Sequence, residues 1–141
     1  MINDDQNTIT SLDLGKIRED IDSVDQQLQQ LINRRAKLAE AVAKAKFAAE
    51  EKPLFYRPER EAQVLRNVME RNEGPLSDAT MARLFREIMS ACLALEAPQS
   101  IAFLGPVGTY THSAVLKHFG QDAVVRPLPT IDEVFREVEA G

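Results

Sequence analysis

Between Lys16 and Lys52 the chain has neither Pro nor Gly, and its apolar residues fall at Leu14, Ile17, Ile21, Val24, Leu28 and Leu31, then again at Leu38, Val42 and Ala45. The steps alternate between three and four residues, the seam that one helix lays against another. The spacing predicts one helix of roughly 35 residues, about 50 Å long at 1.5 Å per residue. That is longer than a compact domain of this size covers by itself, so the helix needs a partner along its length.

Pro53 stops the first helix, and Arg57-Pro58-Glu59 opens a second, with Pro at an early helical position and an acid in the first turn. Val64, Leu65, Val68 and Met69 mark its apolar stripe, and Asn72-Glu73-Gly74-Pro75 ends it. Ser77 or Asp78 is placed to cap a third helix, whose stripe is Met81, Leu84, Phe85, Ile88, Met89, Cys92 and Leu95, and which ends at Ala97-Pro98-Gln99-Ser100. The aromatic content is 6% with no Trp, so the core must be built mainly from aliphatic side chains, which suits packed helices. The expected body is all-α: three helices, the first very long, in an intertwined homodimer.

Beyond that point the pattern changes. Ile101 to Leu104 is a short apolar run before Gly105-Pro106, Thr111 to Phe119 is helix-like, Ala123 to Arg126 strand-like and Ile131 to Glu139 helix-like. This alternation predicts an α/β unit with a parallel sheet, too small to bury both sheet faces, and therefore an incomplete fragment. Gly105 and Gly108 are expected to be turn residues. The expected division is a disordered N-terminus at residues 1–11, a helical domain at 12–97 and the opening of a second domain at 98–141.

Of the 141 residues, 44% are apolar and 28% charged, and the formal net charge is -5. No basic block longer than a pair occurs, which argues against a nucleic-acid partner. Cys92 is the only cysteine, so neither an intrachain disulfide nor a cysteine-rich zinc site can form, and no metal or other cofactor is expected. With no signal-like or membrane-spanning apolar stretch, the expected location is the cytoplasm.

The charged residues on apolar faces are the functional signal. Arg35 occupies the seam position between Leu28 and Val42, and Lys46 follows about three turns on. Glu61, flanked by Arg60, precedes Val64 and Leu65 on the second helix, and Glu96 continues the stripe of Ile88 and Cys92 on the third. An unpaired charge in a helical core costs several kcal/mol, so these groups must meet one another, reach solvent or meet a ligand. Interhelical ion pairs or snorkelling side chains account for any one of them. Taken together they suit a pocket for a small dianion. Arg18 lies about 25 Å before Arg35 along a straight helix, too far for both to grip one small molecule from one chain. If it serves a site, that site belongs to a neighbouring subunit.

The ordered set Leu14-Gly15-Lys16-Ile17-Arg18-Glu19-Asp20-Ile21-Asp22-Ser23-Val24-Asp25, Asn33-Arg34-Arg35, Val42-Ala43-Lys44-Ala45-Lys46 and Arg57-Pro58-Glu59-Arg60-Glu61 resembles the all-helical chorismate mutases. The nearest likeness is to the mutase domain of the bifunctional chorismate mutase/prephenate dehydratases. Phe103-Leu104-Gly105-Pro106-Val107-Gly108-Thr109-Tyr110-Thr111-His112 resembles the start of the dehydratase. The resemblance implies a homodimer that rearranges chorismate to prephenate on the route to phenylalanine, without a cofactor. Dehydratase activity is not expected from residues 98–141 alone.

By position, the resemblance implies that Arg18 from the partner chain, with Arg35 and Arg60 of its own chain, binds the substrate carboxylates. Lys46 would contact a carboxylate and the ether oxygen, Glu61 the ring hydroxyl, and Arg57 the substrate through its backbone amide. Two positions depart from what the family can carry: Glu96 stands where Gln can lie beside the ether oxygen, and Cys92 where Ser can lie one turn earlier. A carboxyl beside that oxygen helps only in its neutral form, which burial favours and Lys46 opposes. Activity is therefore expected to fall as Glu96 ionises. Cys92 is expected to be a packed thiol rather than a nucleophile. Two other readings stay open: a non-catalytic dimerisation or regulatory module of the same fold, and a plain coiled-coil adaptor, for which Arg35 and Lys46 are the wrong residues.

Overall fold

The computed structural model describes residues 13–51 and 53–141, so the disorder expected of residues 1–11 lies outside the described residues. Contacts divide the chain into two units, one ending at Arg35 and one running from Ala36 to Gly141. Helix α1 (Leu14–Ala49) has 36 residues. Asp13 starts it: its carboxylate accepts from the Gly15 amide at 3.0 Å and its carbonyl from the Ile17 amide at 3.1 Å. These bonds satisfy donors that a helix N-terminus leaves open.

In the first unit the seam residues Leu14, Ile17, Ile21, Val24, Leu28 and Leu31 all stand in solvent, Leu14 at 65% exposure and Leu31 at 59%. Six exposed aliphatic side chains on one stripe are far more than a scatter of surface hydrophobes. In the second unit Leu38 and Val42 are exposed as well, whereas Ala39 and Ala43 are buried. The face that α1 covers within its own chain is thus the alanine face, and the heptad seam is left for another surface.

Helix α2 (Pro58–Glu70) begins with Pro at its first position and acids Glu59 and Glu61 in its first turn, where the helix dipole favours negative charge. Helix α3 (Asp78–Glu96) is capped by Ser77, whose hydroxyl accepts from the Thr80 amide at 3.2 Å. The two helices pack on each other. Leu65 and Val68 of α2 and Ala82 and Cys92 of α3 are buried, Leu65 and Val68 each contributing roughly 1.5–3 kcal/mol if fully covered. On α3 the covered stripe follows Ala82, Phe85, Met89 and Cys92, while Leu84 and Leu95, expected inside, are exposed.

Strand β1 (Ser100–Leu104) and strand β2 (Val124–Leu128) form a parallel pair, with Ile101 opposite Val125 and Phe103 opposite Pro127. Helix α4 (Tyr110–Phe119) connects them, and helix α5 (Ile131–Ala140) follows, each packed on β1. The second strand runs two residues beyond the expected Arg126, through Pro127, which a strand tolerates at an edge. Gly108, at φ 88, is the turn glycine expected. Gly105 lies in the bend after β1 and has a second role: a Cβ there would lie 2.8 Å from the Pro127 Cβ, so it also serves close approach to β2.

The end of α4 is fastened to α3. The Ser90 hydroxyl donates to the Phe119 carbonyl, and the Gln121 amide donates to the Glu87 carboxylate at 3.3 Å. Tyr56 completes the junction, its hydroxyl 3.0 Å from His118 Nε2 and its ring 5.5 Å from that of Phe119. Among the described residues no helix is long and apolar enough to cross a membrane.

Candidate active site

The candidate residues arise on three helices and the link between the first two. Arg18 and Arg35 belong to the first unit; Arg18 is exposed and Arg35 half-buried. In the second unit Lys46 is half-buried, its ammonium donating to the Leu54 carbonyl at 3.0 Å and lying 4.8 Å over the Phe55 ring. Phe55 also packs on Phe47, with ring centroids 5.2 Å apart. The cation is thereby pinned to the segment leading into α2, and the contact over the ring face adds about 0.5–1 kcal/mol at an exposed site.

Arg57 is the N-cap of α2, with extended φ -129 and ψ 93, and its carbonyl accepts from the amides of Arg60 at 3.0 Å and Glu61 at 3.1 Å. Its own amide is one of the donors a helix start does not use internally, which suits contact with a polar ligand atom. The side chain of Arg57 is exposed in the chain by itself, and so is that of Arg60. Its place in the first turn explains this, because the covered face of α2 is set by Leu65 and Val68.

Glu61 is half-buried and faces Arg86 of α3, whose Nε lies 3.6 Å from Glu61 Oε1. Sequence reasoning had missed Arg86. The signal was available: it flanks the stripe of Ala82, Phe85 and Met89, on the side that meets the acid-bearing start of α2. Burial, and secondarily the charge of Glu61, push the Tyr56 phenol above its ordinary value of 10.0. Cys92 is 4% exposed and free, the packed thiol expected. Glu96 is half-buried as the last residue of α3.

A shallow cleft lies elsewhere, lined by Ser90, Leu93, Ala94, Gln99, Phe119, Asp122 and Ala123, and it includes none of the candidate residues. Among the described residues no group of three or more His, Cys, Asp or Glu side chains is placed to hold a metal ion.

A family model described as chorismate mutase type II matches residues 17–97, and one described as prephenate dehydratase matches residues 101–141. The chain belongs to the type II chorismate mutase family. It is 54% identical over 131 residues to a bifunctional chorismate mutase/prephenate dehydratase of Stutzerimonas stutzeri, covering 91% of this chain and 36% of that protein. It is likewise 54% identical, over the same shares, to the one from Pseudomonas aeruginosa. The enzyme of that description from Aquifex aeolicus is 38% identical over 90% of this chain and 36% of its own length. The chain thus spans about a third of these relatives, 36% in each case.

Proposed function

We propose that the chain rearranges chorismate to prephenate as a homodimer in the cytoplasm, with a mutase domain at residues 12–97 and the start of a dehydratase domain at 98–141. No dehydratase reaction is assigned to it. The observation that carries the dimer is the bare seam from Leu14 to Leu31, with Arg18 and Arg35 on the same helix. Pairing two such helices buries both seams and brings Arg18 of the partner subunit toward the other chain's site. Family membership supplies the reaction.

The reaction is a single cyclic step: the ether C–O bond breaks as a C–C bond forms, and no atom enters or leaves. The protein's task is to hold the reactive chair-like conformer and to oppose the negative charge growing on the ether oxygen. Arg35, Arg60 and Arg18 of the partner subunit clasp the two carboxylates. Lys46 contacts a carboxylate and the ether oxygen, Glu96 donates to that oxygen when protonated, and Glu61 accepts from the ring hydroxyl. The Arg57 amide and Cys92 complete the wall. Lys46 reaches the ether oxygen by leaving the Leu54 carbonyl or by sharing its three protons between the two.

The test is loss of chorismate absorbance. Wild-type protein is expected to consume chorismate, and Lys46→Ala to lose roughly 10²-fold or more in kcat with its helical content intact. Wild-type protein that leaves chorismate unchanged would overturn the assignment.

A further inference from the structure

The Arg86 guanidinium stands behind Glu61. Its Nε is enclosed by protein and has no hydrogen-bond partner among the described residues, while Glu61 Oε1 sits 3.6 Å away as an ion-pair partner. The Nε makes no hydrogen bond at that distance, and with the two side chains 29% and 20% exposed the attraction is that of a partly screened ion pair. The two residues come from different helices, α2 and α3, which pack on each other. The Arg86 charge therefore draws the Glu61 carboxylate toward α3, a pull that α2 alone does not supply.

A carboxylate has about four lone-pair sites on two oxygens, so an ion pair at Oε1 leaves capacity to accept a hydroxyl proton. A long glutamate side chain in solvent samples several rotamers, and fixing it in advance removes that entropy from the binding step. The half-buried setting of Glu61 and the fixed partner on α3 supply this restraint.

We propose that Arg86 is a positioning residue for the mutase reaction, holding the Glu61 carboxylate from α3 in the orientation that accepts the substrate's ring hydroxyl. This rests on the mutase reading and on the role that reading gives to Glu61. Arg86 acts through Glu61 and does not itself touch substrate.

The experiment is a double-mutant cycle on chorismate turnover with the whole chain: wild type, Arg86→Met, Glu61→Gln and the double variant, with kcat and KM measured separately. Arg86→Met is expected to lower kcat/KM by about tenfold, a modest misplacement of one binding group. In the Glu61→Gln background the same change is expected to have almost no further effect, because the group being positioned has already lost its charge. A purely structural arginine would cost the same factor in both backgrounds, and that result overturns the proposal. Arg86→Lys, which keeps a cation, is run alongside with circular dichroism. It is expected to fold and to lose less than Arg86→Met, and a loss as large as that of Arg86→Met contradicts the proposal. If wild-type protein turns over no chorismate, the mutase reading itself falls and the proposal with it. If wild type is active and Arg86→Met equals it, only the proposal falls.

Discussion

Tyr56 joins stability to pH at a single side chain. Burial and the neighbouring Glu61 raise its phenol above 10.0, so the folded chain keeps the proton longer than the unfolded chain does. The resulting contribution is fully present below pH 10.0 and is lost as pH rises through the folded value. Denaturant titrations from pH 9 to 11.5 are expected to show a steeper decline for wild type than for Tyr56→Phe, and equal slopes would contradict this. Glu96 belongs to the same scale. In the proposed mechanism a neutral Glu96 carboxyl donates to the ether oxygen, and an amide donates whatever the pH, so Glu96→Gln is expected to show a flatter dependence of kcat on pH than wild type.

At the scale of elements, caps and breakers did most of the work, and they were legible. Pro58 and Ser77 set helix starts because each acts on its own backbone, whatever surrounds it, while α1 and α2 already end at Ala49 and Glu70, ahead of Pro53 and the Gly74-Pro75 pair. Ser77→Ala removes the acceptor of the Thr80 amide and is expected to cost about 1 kcal/mol in chemical unfolding. Which face each helix covers was less legible. Leu95 and Leu84 look like core residues in a periodic pattern, yet α3 packs through Ala82, and nothing local announces that an alanine is the contact point. The same holds on α1, where Ala39 and Ala43 are buried and the larger Leu38 and Val42 exposed. Arg86 stayed hidden for a related reason: an arginine beside a stripe reads as solvated until the partner helix places Glu61 against it.

For the whole molecule, the long heptad was readable because its period needs no neighbour to be recognised, and its seam stands exposed in the chain by itself. The junction between the helical segment and the α/β segment was not readable, since it depends on a four-residue turn meeting α3. Gly120 is its tightest point: at φ 84, a Cβ would fall 2.3 Å from the Ser90 hydroxyl. Gly120→Ala is expected to lose the Ser90 to Phe119 bond and destabilise the chain by about 1–3 kcal/mol, with faster amide exchange at Gln121. Unchanged exchange there would show that the turn is not held by α3.

The proposed active site is assembled from two chains. Arg18→Ala and Arg35→Ala are each expected to be nearly inactive, and an equal mixture, allowed to exchange subunits, to recover about a quarter of wild-type turnover, since half the dimers are mixed and each holds one intact site. A mixture that exchanges subunits, as shown by mass-labelled chains, yet stays as inactive as its components would contradict a shared site.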